Sequence, residues 1–279
     1  MALDRDEAAA NSGMLPSGGE PTKPYLRTER DGRGVVTLTL DRPDAFNALS
    51  SGMLDALQAE LDRIATDGSA RVVVIAAAGK AFSAGHDLKE MRAEPSRAYY
   101  EALFATCARV MLTIQRLPVP VIARVHGIAT AAGCQLVGAC DLAVAADGAR
   151  FAVSGVNLGL FCSSPSVALS RNLGRKAAFE MLVTGAFISA EEARVKGLVN
   201  RVVSAESLDA EVEALVTAIV AKPQVAIALG KGLFYRQLET GIEAAYEDAG
   251  RTMACNMMDE AALEGVQAFI EKRQPNWRA

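Results

Sequence analysis

The sequence predicts a mixed α/β body carrying an all-helical C-terminal extension. Short β-branched runs such as residues 71–77 (RVVVIAA) alternate with helix-length amphipathic segments up to Asn200, and beyond it the strand signals nearly stop. The chain has 279 residues, about 1.9 times a ~150-residue domain. One large domain, or a domain with an appendage, fits that length.

Residues 1–24 open with Asp4, Asp6 and Glu7 and run on through Ser, Gly and Pro. They lack the basic start and apolar centre of a secretory signal and the Arg-rich, acid-poor pattern of a transit peptide, and read as a mobile tail. Residues 34–40, rich in Val, Thr and Leu, form a strand that stops at Asp41-Arg42-Pro43, where proline removes a ladder donor. Ser50 or Ser51 caps a helix whose Leu54, Leu57, Leu61 and Ile64 recur at helical spacing. Residues 71–77 are continuously apolar, as a strand buried on both faces requires. Residues 79–90 mix small and charged side chains and read as a loop entering a helix. A long helical pattern over 96–117 is closed by Pro118 and Pro120. Residues 119–125 return to strand character, and His126-Gly127 turns the chain into small residues 129–133, which open a helix through Cys140. Residues 142–145 and 150–153 are a further strand pair. Helices follow near 206–220, 224–239, 242–258 and 259–272. The division falls near 221–223, giving a body over 25–221 and a helical region over 222–279.

Composition excludes several function classes. Basic residues number 29 and acidic residues 33, with no Lys/Arg-rich block, so no broad nucleic-acid surface is expected. The longest uncharged stretches, 125–140 and 151–170, are interrupted by polar residues and do not supply the ~20 apolar residues of a membrane helix. Five cysteines without a CxxC spacing or export signal point to a reducing compartment, read here as the cytoplasm. GxGxxG after a strand, GxxxxGK[ST], GxSxG and HExxH are all missing, and the chain has only His86 and His126. No metal centre is expected.

Small residues gather at Ser83-Ala84-Gly85-His86-Asp87 and, at a helix start, at Ala131-Ala132-Gly133-Cys134. A helix start presents unpaired N–H groups and a partial positive charge, and donors from two loops can together hold an oxygen that becomes negative during reaction. Tight backbone packing explains the same residues, and spacing alone leaves both readings open.

These motifs, followed by Gln135-Leu136, Cys140-Asp141-Leu142-Ala143-Val144-Ala145, Arg150-Phe151, Gly159, Thr184-Gly185, residues 188–193 (ISAEEA), Gly197-Leu198-Val199 and residues 269–273 (FIEKR), resemble the crotonase (enoyl-CoA hydratase/isomerase) superfamily over residues 26–277. The resemblance implies a ClpP/crotonase-like spiral of strand-strand-helix turns whose C-terminal helices build a homotrimer or a dimer of trimers. It implies an acyl-CoA thioester as ligand, with coenzyme A part of the substrate and no separate cofactor. The backbone N–H groups of His86 and Ala132 are the implied oxyanion donors. Ala45, Phe46, Ala84, Asp87 and Leu88 are the implied contacts for adenine and pantetheine, and Lys89, Phe269 and Lys272 for the nucleotide or its phosphates. Both lysines also read as solvated surface.

One departure limits the activity that follows. In the hydratases two glutamates hold and activate the water added across the double bond, and the matching positions here are Gln135 and Gly155. An amide cannot accept and return a proton near neutral pH, and glycine has no side chain. General acid/base assistance is worth ~100- to 10,000-fold, so little ordinary hydration is expected without a replacement. Isomerases that keep the second glutamate do not match either. Locally the chain is most similar to the enoyl-CoA hydratase domain-containing proteins, which share residues 129–136 (ATAAGCQL) and much of 156–163 (VNLGLFCS). Two readings remain: an enzyme of enolate chemistry or a non-catalytic acyl-CoA scaffold.

The remaining polar residues carry weaker expectations. His86 is either a base or substrate-shaping group or a structural side chain. Cys162 and Ser163 lack an identifiable activating base, which favours packing. Ser154 and Asn157 flank Gly155 and could hold a water or small anion, as in dihydroxynaphthoyl-CoA synthases, which also have Gly there and recruit bicarbonate. His126 is expected to be a hydrogen-bonded structural histidine, Asp141 to fix the strand after its helix, and Asp87 to hold its own helix start.

Overall fold

The computed structural model of the chain describes residues 24–93 and 95–277. The tail expected over 1–24 lies outside the described residues except for Pro24.

The chain begins with an antiparallel pair, β1 (Leu26–Arg30) and β2 (Val35–Leu40). Helix α1 (Ser51–Thr66) starts where the Ser50 hydroxyl accepts the Met53 N–H at 3.3 Å, and it buries Leu54, Leu57, Leu61 and Ile64. Next come β3 (Val72–Ala77), β4 (Ala81–Ser83), α2 (Leu88–Ala93) and α3 (Arg97–Arg116). The same sequence of two strands and a helix recurs in β5 (Val121–Val125), β6 (Ile128–Thr130) and α4 (Ala132–Ala139), then in β7 (Leu142–Ala146), β8 (Arg150–Ala152), α5 (Ser163–Asn172) and α6 (Arg175–Thr184). Short elements β9 (Ile188–Ser189), α7 (Ala190–Lys196) and β10 (Arg201–Val203) close the body, followed by α8 (Leu208–Val220), α9 (Gln224–Gln237), α10 (Ile242–Met257) and α11 (Glu260–Ile270).

The strands form two sheets, one ordered β1-β2-β3-β5-β7-β10 and the other β4-β6-β8-β9. Each pair β3/β4, β5/β6 and β7/β8 therefore sends its first strand to the large sheet and its second to the small one, parallel to the preceding turn. That repetition is the expected strand-strand-helix spiral.

Burial explains the apolar run in β3. One face meets the main core with α1 and α3, where Val73 and Ile75 pack, and the other meets α8 through Val72, Val74, Leu208, Val212 and Val216. Truncating such a buried Leu or Ile to Ala costs about 2–5 kcal/mol. Several elements were not read from the sequence, α5 and α6 among them. β1 is a largely exposed edge strand whose sequence LRTER lacks apolar alternation. β4, β9 and β10 are only two or three residues long, too short to display a period, and β4 lies inside the segment expected to be loop. α7 is short and defined by its capping box, Ser189 with Glu192.

Asp141 was expected to fix the strand after its helix, but its carboxylate instead holds the start of β5, before that helix, and α9. Its carboxylate accepts the Val121 N–H at 2.6 Å, the Lys231 ammonium at 2.6 Å and the Tyr235 hydroxyl at 2.7 Å. Lys231 also donates to the carbonyls of Ile114 and Val119 at 2.8 and 2.9 Å. One buried cluster thus joins α9 to the end of α3, the start of β5 and the end of α4. Burial pulls the Lys231 ammonium below its usual value, and Asp141 opposes that shift. The outer layer of α9, α10 and α11 leaves Phe234, Tyr246, Met258, Phe269 and Ile270 exposed.

Candidate active site

Strands β4, β6 and β8 lie side by side and parallel, so the turns leaving their C-terminal ends are neighbours. The first turn is Ala84-Gly85-His86. Gly85 has φ +88°, and a Cβ there would lie 2.8 Å from the Ala131 Cβ and 3.1 Å from the Ala132 nitrogen. Only glycine fits, and its fit brings the Gly85 backbone against that of Ala131 and Ala132. Hydrogen bonds fix this turn: Leu49 N–H donates to Gly85 O at 2.7 Å, Ala84 N–H to Phe46 O at 3.0 Å, and the Ser83 hydroxyl to Asn47 O at 2.9 Å. Asn47 is itself buried at φ 51°, and its amide donates to Ala78 O and Ala81 O, both at 2.8 Å. The Asp87 side chain accepts from Lys89 and Glu90 N–H groups, so it holds the start of α2 as expected.

The second turn carries backbone strain. Ala131 stands at φ 50° and ψ −121°, a conformation costly for a residue with a Cβ, and its N–H donates to Ala152 O at 3.0 Å. Ala132 then opens α4, all of whose residues are buried. Among the described residues neither the Ala132 N–H nor the His86 N–H finds a protein acceptor. The Ala132 N–H thus lies open at the positive end of α4, next to the Gly85 turn.

The third turn is closed. Gly155 N–H donates to the Cys162 thiol at 3.3 Å, and a Cβ at this position would lie 2.5 Å from Leu160 O and 2.7 Å from the Cys162 sulfur. The Thr130 and Ser154 hydroxyls pair at 2.9 Å, and the Asn157 amide turns to Gly185 O. Ser154 and Asn157, considered as holders of a water or small anion, thus each have one protein partner, and Leu160 O lies beside Gly155. Burial pushes the Cys134 thiol up to about 12 and raises that of Cys162, so both stay protonated and unreactive.

Gln135 lies in the first turn of α4, 4% exposed, with Oε1 buried and without a hydrogen-bond partner. The His86 ring makes an Nδ1 contact of 3.1 Å with Leu49 O, which fixes Nδ1 as the donor and leaves the lone pair on Nε2. Its edge meets Phe104, and burial holds its pKa below 6.5, so the ring is neutral at pH 7. His126 bonds Gly79 O at 2.9 Å through Nε2, the structural role expected of it.

The implied coenzyme A contacts separate into two groups. Ala45 and Phe46 sit against Ala84 through the Phe46 carbonyl, and Phe46 (56% exposed), Leu88 and Lys89 face solvent nearby. Phe269, 85% exposed, and Lys272 stand on the outer helical layer, where no hydrogen bond among the described residues ties them to that loop. Sequence reasoning did not find Asn47, the positive φ of Ala131 or the plugging role of Cys162. Asn47 carried a signal, since asparagine tolerates the left-handed region, whereas Ala131 carried none.

A model of the family described as enoyl-CoA hydratase/isomerase matches residues 30–279. The chain belongs to that family. A relative from Mus musculus, enoyl-CoA hydratase domain-containing protein 3, mitochondrial, is 45% identical over 262 residues, covering 94% of this chain and 87% of the relative. The crystal structure of an enoyl-CoA hydratase from Mycobacterium smegmatis is similar with a TM-score of 0.91 and 70% identity, covering 92% of this chain and all of that one. The human domain-containing protein 3 structure superposes with a TM-score of 0.88 at 43% identity, covering 91% of this chain and all of that one. The vertebrate relatives are named mitochondrial, which overturns the cytoplasmic reading. Unpaired cysteines mark a reducing interior but do not distinguish one such compartment from another.

Proposed function

We propose that this protein binds an acyl-CoA thioester with its carbonyl oxygen between the N–H groups of His86 and Ala132. The observation supporting this reading is the approach of Gly85 to the Ala132 nitrogen, with neither the His86 nor the Ala132 N–H bonded within the described residues. As the thioester oxygen gains charge these bonds strengthen, and one such donor is worth ~100- to 1,000-fold in rate. Enolate formation is the chemistry this supports. The base is His86 Nε2, the free lone pair on a neutral ring carried by the same turn. Ordinary hydration is disfavoured, because Gln135 cannot transfer a proton and the space beside Gly155 is occupied by Leu160 O and the Cys162 thiol. Although the related Mycobacterium smegmatis protein is named an enoyl-CoA hydratase, hydration here would need a carboxylate from some other position.

In this reading Ala45, Phe46, Ala84 and Leu88 flank the coenzyme A entrance, with Asp87 shaping the loop and Lys89 near the phosphates. Phe269 and Lys272 would meet the nucleotide or its phosphates, and the apolar residues exposed on α9–α11 support a homotrimer or dimer of trimers. A non-catalytic acyl-CoA scaffold is the second reading, favoured by the closed third turn.

The test compares crotonyl-CoA hydration with solvent deuterium exchange at the α-carbon of butyryl-CoA. Exchange without hydration is the expected result. Binding with neither activity would favour the scaffold, and efficient hydration would overturn the enolate reading.

A further inference from the structure

Helix α1 receives a carboxylate from another element. The Ser51 N–H, one of the four that a helix start leaves without an internal partner, donates to Glu90 Oε2 and Oε1 at 3.1 and 3.3 Å. Helix α1 already has a neutral cap in Ser50, so an ionised second one calls for another reason. Glu90 belongs to α2, four residues beyond His86. The His86 ring is tied to the same short stretch through Nδ1 and Leu49 O at 3.1 Å, and Leu49 and His86 form a parallel bridge. Ring and carboxylate thus converge on residues 49–51, at the Nδ1 edge of the imidazole rather than at Nε2.

The other groups around the ring are neutral, spent or exposed. Helix α3 presents Phe104 and, stacked on it, Tyr100, whose hydroxyl donates to Met91 O. The Asp87 carboxylate is taken up by the Lys89 and Glu90 N–H groups, while Lys89 and, on α1, Asp55 are exposed.

We propose that Glu90 is a positioning residue for the candidate base, acting through His86 as the counter-ion of the imidazolium formed when Nε2 accepts a proton from the α-carbon. The proposal rests on the reading of His86 as that base. In the step the C–H bond breaks, its electron pair moves into the thioester to give the enolate, the proton passes to Nε2, and the Nδ1 proton stays on Leu49 O. A carbonyl orients the ring but carries no net charge to balance the new cation, whereas a carboxylate does. Burial lowers the His86 pKa, and the Leu49 carbonyl and Glu90 both oppose that fall.

The test is a pH titration of the full chain, read by NMR from the 13Cε1–1H signals of its two histidines in the unmodified protein and in Glu90→Gln and Glu90→Asp, with His86→Gln assigning the signals. Glu90→Gln keeps an oxygen for the Ser51 N–H and removes the charge. The His86 midpoint should therefore move to lower pH, while that of His126, bonded to Gly79 O, stays in place. Glu90→Asp, which keeps the charge, should restore most of the midpoint. In Glu90→Gln the α-proton exchange of butyryl-CoA should slow about tenfold, the low end of what an opposite charge is worth to a titrating group, with binding unchanged. An unmoved His86 midpoint would overturn the proposal, and equal movement in the Gln and Asp variants would do so by reducing Glu90 to a helix cap. Loss of the fold in Glu90→Gln would overturn it too, because a counter-ion to a transient cation is not needed for folding. Exchange that survives His86→Gln would overturn the base reading instead, a result distinct from an unmoved midpoint.

Discussion

Three equivalent turns of one spiral, after β4, β6 and β8, are built differently. The first two leave the N–H groups of His86 and Ala132 unpaired at a junction only glycine permits, while the third engages its Gly155 N–H with a thiol and leaves no room for a Cβ. Main-chain N–H groups are left open in the first two turns, and the space beside Gly155 in the third is filled by Leu160 O and the Cys162 sulfur. Groups that polarise a carbonyl and groups that move protons are distinct parts of a catalytic site, and the three turns differ in which of the two they could supply.

The comparison presumes one rigid frame beneath all three turns, and the largest expected effect tests that frame. A Lys231→Met variant leaves the Asp141 carboxylate buried without its cation and should lower the unfolding free energy by about 3–5 kcal/mol, read by denaturant titration. An unchanged midpoint would mean that the cluster does not align the turns. Next comes the junction of the open turns. A Gly85→Ala variant forces a Cβ against Ala131 and Ala132 and should reduce α-proton exchange about 100-fold or more, with stability followed in parallel. Undiminished exchange would remove the amides from the chemistry.

The closed turn gives a smaller effect. Gly155→Ala should cost about 1–3 kcal/mol through contact with Leu160 O and the Cys162 sulfur. Adding Cys162→Ala should recover part of that loss, since one of the two obstructions is removed. Additive costs would show that the thiol is not the plug. The smallest expected effect is on pH dependence. Burial holds both His86 and His126 below 6.5 in the fold, whereas the unfolded chain takes up these protons near that pH. Protonation therefore favours unfolding as pH falls through 6.5, and the melting temperature should be lower at pH 5.5 than at pH 7.5. A flat profile over that window would contradict the neutral His86 on which its role as base depends.

Much of this was legible before any coordinates. Helical spacing located α1 and α3, the unbroken apolar run located β3, and the small residues at 83–87 and 131–134 marked both open turns. What stayed hidden depends on contacts between distant residues. Lys231 and Tyr235 lie 90 and 94 positions beyond Asp141, so nothing local to Asp141 identified its partners. The Cys162 thiol could be read as packing but not as the group that fills the place beside Gly155. Ala131 adopts its positive φ because the Ala152 carbonyl and the start of α4 impose it, a tertiary cause with no trace in an alanine's own preferences.

The most direct measurement is the infrared or 13C signature of a butyryl-CoA labelled at its thioester carbonyl, recorded free and bound. Two amides gripping that oxygen should polarise the bond, lowering its stretching frequency and moving its resonance downfield, and Gly85→Ala should abolish both changes. A bound carbonyl indistinguishable from the free one would contradict the account.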